Sequence, residues 1–190
     1  MKAIIDALNV VYDEHEKRGF VKLNVVSLAF TLGGLCAILT SIGLVVAAPI
    51  ALATIGLGPV ADAALQYGPW PVLAVMVMLG LAALYRFAPS RETPKWAWVS
   101  VGSVLATVTW VAGSIALSYY LEHYAGYDAT YGSLGAAIGL MMWMSTTVVL
   151  FGAELNSELE HQTAEDSTDG SAKPMGARGA QVADTVGVTR

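Results

Sequence analysis

Residues 132–153 form a long run in which no side chain is ionisable, and this run constrains the fold more than any other part of the chain. A helix needs about 20 such residues to cross a hydrocarbon core of roughly 30 Å. Because lipid offers the backbone no hydrogen-bond partner, such a segment crosses only as a helix or within a closed barrel. The alternation typical of a barrel strand is absent here. The run therefore predicts a transmembrane helix, and the polar residues after it mark where it meets water: Glu154, Asn156, Glu158 and Glu160.

The composition of the whole chain agrees with that prediction. Hydrophobic residues make up 55% of the 190 residues and charged residues only 13%, and the mean hydropathy is +0.58. These values are typical of membrane proteins rather than of soluble domains. We expect an all-α fold, a polytopic transmembrane helical bundle of about four spans. The predicted spans are residues 25–48, 70–87, 96–120 and 132–153.

Three regions follow along the chain. Residues 1–24 combine an amphipathic helix, with apolar residues at helical spacing over 3–12, and a polar connector. Residues 25–160 form the bundle. Residues 161–190 are rich in Thr, Ala, Asp and Gly and poor in large apolar side chains, so they predict a disordered tail.

Lysine and arginine near the spans indicate the orientation. They precede the first span and lie between the second and third spans, whereas the connections 49–69 and 122–131 contain none. Because such residues accumulate on the cytoplasmic side, we expect a multi-pass protein of the cell membrane with both termini cytoplasmic. The residues that carry this inference are Lys17, Arg18, Lys22, Arg86, Arg91 and Lys95.

A few polar residues at the span ends are candidates for function. Arg86 and Glu154 both fall at the predicted cytoplasmic ends of spans, where a charge is tolerated if it pairs or reaches water. One hypothesis is that they pair across the second and fourth spans, and the alternative is that each is hydrated independently. Thr146 either bonds to its own backbone or lines a polar path. Asn156 lies in the polar end of the fourth span.

Small residues in the fourth span predict close helix packing. Gly132, Gly135 and Gly139 recur at spacings of three and four, which brings them to one helix face. That face packs either within the bundle or against a second copy, and we favour the first.

The residue pattern carries no recognisable reaction chemistry. The three histidines, His15, His123 and His161, have no further ligand at metal-binding spacing. No nucleotide-binding or hydrolase motif is present, and no basic groove suited to nucleic acid is visible. We therefore expect no cofactor, no metal, no nucleic-acid partner and no catalytic activity.

Several motifs resemble the YihY/BrkB family, which was formerly labelled ribonuclease BN. They are Tyr-Gly-Ser-Leu-Gly at 131–135, Phe-Gly-Ala-Glu-Leu-Asn at 151–156, Tyr-Arg-Phe-Ala-Pro at 85–89 and Arg-Gly-Phe-Val-Lys at 18–22. The resemblance covers about residues 1–160 and implies a prokaryotic cytoplasmic-membrane protein linked to transport or envelope maintenance. Members of this family typically have six spans, so this chain is expected to lack the first two.

Two functions remain open at this point. One is a transporter-like bundle that handles a lipid or a small solute through polar residues such as Arg86, Ser145, Thr146 and Glu154. The other is a non-catalytic scaffold or subunit. In both cases the lipid bilayer surrounds the chain as its partner. The helix faces of small residues can also pack against a second copy in a homo-oligomer or against another membrane subunit.

Overall fold

A computed structural model describes residues 1–47, 49–50, 63, 67–123 and 132–187 of the chain. Within these residues the regular backbone is helical, and the only extended pairing is an isolated bridge between Pro94 and Thr168. The helices are α1 (Lys2–Val11), α2 (Phe20–Ile42, continued by a π-helical turn Gly43–Ala47), α3 (Pro69–Phe87), α4 (Trp96–His123), α5 (Gly132–His161) and the short α6 (Gln181–Asp184).

Four of these helices are long and apolar enough to cross a membrane, which confirms the predicted all-α bundle of four spans. The segments that meet this criterion are Phe20–Ala47, Pro69–Phe87, Trp96–Leu121 and Gly135–His161. Two bounds differ from the prediction by five residues or more: the first helix begins at Phe20 rather than at residue 25, and the last continues past Ala153 to His161. Polar residues thus prolong the last helix beyond its apolar part. The connections 49–69 and 122–131 lie largely outside the described residues.

Helix α4 is the centre of the bundle, since it packs against both α3 and α5. Gly102 of α4 and Gly152 of α5 meet where these two helices cross. A Cβ atom on Gly152 would lie 2.8 Å from the Ala106 Cβ and 2.5 Å from the Tyr85 hydroxyl. Only glycine therefore permits this approach. By contrast, α2 packs loosely and buries no residue.

Helix α1 lies against the end of α5 rather than standing alone. Its buried side chains, Ile5, Leu8 and the adjoining Tyr12, join the hydrophobic core, and the Ser157 hydroxyl of α5 donates to the Val11 carbonyl at 3.0 Å. The predicted amphipathic helix is confirmed, and its apolar face is covered by protein.

The structure corrects the expectation of a disordered C-terminal tail, because residues 162–187 are packed. Arg178, which is 5% exposed, donates to the carbonyls of Ala164, Glu165 and Ala183 at 2.8, 3.1 and 2.6 Å. Val182 joins the core formed with α1. The tail is held mainly by hydrogen bonds around one arginine, which a composition poor in large apolar residues does not reveal.

Candidate functional site

The polar side chains converge at one end of the bundle, where α2 and α4 begin and where α3 and α5 end. We call this the polar end. Helix α1 and the tail both pack there, since the Gln181 amide donates to Glu14 Oε1 at 2.8 Å. The two termini of the described chain therefore belong to the same end.

Arg86 at the end of α3 pairs with the tail and not with Glu154. Its Nη2 donates to Asp169 Oδ2 at 2.7 Å, and its Nη1 donates to the Pro94 carbonyl. The guanidinium also lies 4.6 Å from the centre of the Trp96 ring, a cation–π arrangement. The predicted pairing with Glu154 is wrong, because Arg86 faces the α3–α4 loop and the tail while the Glu154 side chain is exposed. Independent hydration describes Glu154 but not Arg86, which is 7% exposed.

Arg91 and Glu160 form a fully buried ion pair. Arg91 Nη1 and Nη2 donate to Glu160 Oε2 and Oε1 at 2.9 and 2.8 Å, and both side chains are 0% exposed. The Ser167 hydroxyl of the tail adds a third hydrogen bond to Glu160, at 2.9 Å. The arginine also stacks 3.9 Å from the ring centre of Tyr12, whose pKa burial raises to about 12. This cluster joins the α3–α4 loop, α5, α1 and the tail.

Asn156 is completely buried between α4 and α5. Its Oδ1 accepts from the Gly102 amide at 2.8 Å, and its Nδ2 donates to the Val99 carbonyl at 3.4 Å. Asn156 therefore fixes the helix crossing at Gly102 and Gly152 rather than facing a ligand.

The remaining predicted residues lie away from the polar end. Thr146 donates to the Met142 carbonyl of its own helix at 2.9 Å, the first of its two alternatives. A Cβ atom on Gly135 or Gly139 would meet nothing within 4 Å among the described residues, so the structure brings no other helix against them. The surroundings of Gly132 lie outside the described side chains.

A basic cavity of about 560 Å³ opens at the polar end, between the start of α2 and the end of α3. Five cationic residues and one acidic residue line it: Lys17, Arg18, Lys22, Arg86, Arg91 and Glu92, of which Arg91 has a fully buried side chain. Gly19, the N-cap of α2, also lines it and offers no side chain to the first-turn amides. A helix N-terminus carries a partial positive charge that favours anions. The cavity therefore combines several sources of positive potential.

Most of these cations are held in place by carboxylates behind the cavity wall. Arg18 Nε and Nη2 bond to both oxygens of Glu16 at 2.7 and 2.8 Å, and these hydrogen bonds lower the pKa of Glu16 to about 2. Lys17 pairs with Glu14 at 2.6 Å. Among the described residues Lys22 has no ion pair, and the Nε donors of Arg86 and Arg91 have no hydrogen-bond partner. Both Nε atoms are buried, so among the described lining residues Lys22, which is exposed, is the unpaired cation that an anion can reach.

Several residues of this site were missed as candidates. Lys22, Arg18 and Arg91 indicated only the orientation of the chain, and Glu160 only the end of a span. Their sequence signal was a set of basic residues in two separate segments, 17–22 and 86–91. Only the packing of α2 against the end of α3 brings the two segments together. No group of three His, Cys, Asp or Glu side chains suited to a metal ion occurs in the described part of the chain.

Comparison with known proteins adds a family match. The family model described as Virulence factor BrkB matches residues 1–176 of the chain. The protein named "Putative ribonuclease-like protein YfkH" of Bacillus subtilis (strain 168) is 31% identical over 165 residues. This alignment covers 84% of the present chain and 60% of YfkH. No solved structure matches the chain.

Two further relatives carry the name UPF0761 membrane protein. The protein from Tolumonas auensis is 33% identical over 82 residues, which are 42% of this chain and 27% of that protein. The protein from Idiomarina loihiensis is 29% identical over 93 residues, 48% of this chain and 32% of that protein. The chain therefore spans 60% of YfkH and about a third or less of these two relatives.

Proposed function

We propose that this chain, which belongs to the virulence factor BrkB family of membrane proteins, binds the headgroup of an anionic lipid in its basic cavity and takes part in handling that lipid in the cell membrane. One observation carries the proposal. The cavity gathers five cationic residues and an uncapped helix N-terminus at the place where two spans meet water.

The mixed lining of the cavity favours a headgroup over a soluble anion. Phe87 and Val26 line it together with the cations, so its wall is part charged and part apolar. Basic pockets between transmembrane helices are well suited to lipid phosphates. A lipid phosphate bound to the cations can place its attached chain against Phe87 and Val26, which a soluble anion leaves uncovered.

Lys22 is the residue best placed to attract the headgroup. Its charge has no ion pair among the described residues, and it lies in the first turn of α2, whose N-terminal end favours an anion. Arg86 and Arg91 stand behind it, buried in ion pairs with Asp169 and Glu160. We propose that Lys22 makes the direct contact and that the two arginines hold the wall of the cavity in place.

The orientation fits this role. The polar end contains the termini of the described chain and the cationic residues, so we propose that it faces the cytoplasm. The cytoplasmic leaflet is rich in anionic lipids and attracts basic segments by about 1 kcal/mol per residue. We assign the chain no catalytic step, and the word ribonuclease in the name of YfkH describes that protein alone.

Lipid retention by the purified full chain tests the proposal. Native mass spectrometry would compare the binding of phosphatidylglycerol with that of neutral phosphatidylcholine. We expect phosphatidylglycerol to be preferred, and Lys22→Gln to reduce its binding by roughly fivefold, the factor that corresponds to about 1 kcal/mol for one cation. Lys22→Arg keeps the charge and should retain the preference.

A matched control separates the cavity from general surface charge. Lys2 is an exposed lysine of α1 that does not line the cavity, so Lys2→Gln should leave phosphatidylglycerol binding unchanged. Equal losses in Lys2→Gln and Lys22→Gln, or no preference for the anionic lipid in the unaltered protein, would overturn the proposal.

A further inference from the structure

A second cavity of about 670 Å³ lies in the other half of the bundle. All four spanning helices contribute to it: Ser41 of α2, Trp70, Ala74 and Val77 of α3, Trp110 and Ser114 of α4, and Met141 of α5 are among its residues. None of the described residues that line it is charged. A cavity of this kind rejects headgroups and ions and accepts hydrocarbon.

We propose that the two cavities form one slot for a single anionic lipid whose hydrocarbon chain is longer than one membrane leaflet. The proposal rests on the proposed function, because the headgroup occupies the basic cavity. The inference adds the class of substrate, which is an anionic lipid with a long hydrocarbon chain.

The helical rise sets the distance that the chain must cover. Arg86 of the basic cavity and Val77 of the apolar cavity are nine residues apart on α3, about 14 Å at 1.5 Å per residue. From Arg86 to Trp70, at the far end of the apolar cavity, the distance is about 24 Å. One leaflet of the hydrocarbon core measures roughly 15 Å, half of its total thickness. A chain confined to one leaflet therefore reaches only the near edge of the apolar cavity, and a longer chain fills it.

The loose packing of α2 supplies a path between the cavities. Both cavities have α2 on one wall and α3 on the other, through Lys22 and Arg86 at one end and Ser41 and Ala74 at the other. Helix α2 buries no residue against the rest of the described chain. The side chains of α2 that do pack against the core here, Leu23, Val26 and Phe30, are only partly buried. A chain entering from the surrounding lipid can therefore lie along α3 by moving these side chains.

A series of monophosphates with one headgroup and different chains tests the inference. Geranyl, farnesyl and undecaprenyl phosphate would be added to the full-length protein in detergent, and binding would be read by native mass spectrometry. We expect binding to rise along the series, with the largest step between farnesyl and undecaprenyl phosphate. Equal binding of the three phosphates, or a second protein copy that displaces them, would overturn the inference.

Variants that fill the apolar cavity make the test specific. Ala74→Phe and Val111→Phe each place a ring in the cavity from a different helix, and both should abolish the advantage of undecaprenyl phosphate while leaving geranyl phosphate binding unchanged. The control is Leu140→Phe, at an exposed position of α5 outside the cavity, which should retain the advantage. If all three variants behave alike, the apolar cavity is not the chain site.

The outcomes separate this inference from the proposed function. Lys22→Gln should weaken all three phosphates by a similar factor, roughly fivefold for about 1 kcal/mol. If Lys22→Gln has that effect but chain length has none, the chain inference alone fails. If chain length and the filling variants have their effect but Lys22→Gln has none, the headgroup assignment fails and the apolar cavity still binds a chain.

Discussion

At the scale of single residues, the polar end is organised by buried charges whose partners are distant in sequence. Arg91 and Glu160 are 69 positions apart and Arg86 and Asp169 are 83 apart. The sequence allowed Arg86 to be chosen as a residue of interest, because a charge at the end of a span is tolerated only if it pairs or reaches water. It did not allow its partner to be chosen, since Asp169 lies in a segment that composition alone predicts to be disordered.

The Arg91–Glu160 pair provides the first prediction. Glu160→Gln removes the negative charge and leaves Arg91 buried without a counter-ion, which should lower the free energy of unfolding by about 3 kcal/mol. Thermal unfolding of the purified protein in detergent measures this. Glu158→Gln, at an exposed position two residues away, serves as the control and should change stability little. Equal stability of the two variants would contradict a structural role for the buried pair.

At the scale of elements, the spans were predictable and their contacts were not. Lipid accepts only helices with internally satisfied backbones, so long apolar runs fix the number of spans with little help from tertiary structure. Which glycines meet depends on the rotation of each helix about its axis. Gly135 and Gly139 have the four-residue spacing of glycines that is typical of close helix packing. The close contact is nevertheless made by Gly102 and Gly152, neither of which has a glycine four residues away.

The helix crossing provides the second prediction. Gly152→Ala should destabilise the protein by about 1–3 kcal/mol, because the new methyl group collides with Ala106 and the Tyr85 hydroxyl. Gly139→Ala should be neutral or slightly stabilising, since nothing described lies within 4 Å of its Cβ position. Unfolding of both variants under the same detergent conditions checks this, and a larger loss in Gly139→Ala would show that the crossing is assigned wrongly.

The packed tail provides the third prediction, which is that the order of the tail depends on pH. Burial alone would raise the pKa of Asp166, but hydrogen bonds from the Lys173 amide and from Thr168 outweigh it and lower the pKa to about 2. A carboxylate with a lowered folded-state pKa stabilises the fold above its unfolded pKa, near 3.8, and this stabilisation is lost as the pH falls towards 2. Because these partners all belong to the tail, the tail should lose internal order between about pH 4 and pH 2.

A dye attached to the tail measures this loss of order. Cys36→Ala removes the single cysteine and Glu165→Cys places one at an exposed tail position, so that the anisotropy of a thiol-linked dye reports tail mobility. Asp166→Asn in the same background should raise the mobility already at pH 7 and flatten the pH profile. A tail that is equally mobile at pH 7 and pH 3 would contradict the assigned role of Asp166.

At the scale of the whole molecule, both termini of the described chain lie at one end of a four-span bundle. An even number of spans requires this arrangement, and the same end contains the cationic side chains of the basic cavity. The family resemblance inferred from short motifs is confirmed by the family match over residues 1–176. The basic cavity itself was not predictable, because it requires two segments about 70 residues apart to meet.

The fourth prediction concerns orientation. In intact cells that express the Cys36→Ala, Glu165→Cys chain, a membrane-impermeant maleimide should leave the tail cysteine unlabelled, because the positive residues at this end predict that it faces the cytoplasm. Permeabilised cells should show full labelling. Labelling of intact cells would place the polar end outside and would contradict the proposed access to the cytoplasmic leaflet.

The most direct test of the central claim is whether a lipid phosphate touches Lys22. Solid-state NMR on the ¹⁵N-lysine-labelled protein in phosphatidylglycerol bilayers can detect dipolar coupling between lipid phosphorus and lysine Nζ. The account predicts a coupled lysine signal that disappears in Lys22→Gln and persists in Lys2→Gln. A spectrum in which no lysine is coupled to phosphorus, or in which Lys22→Gln removes nothing, would contradict it.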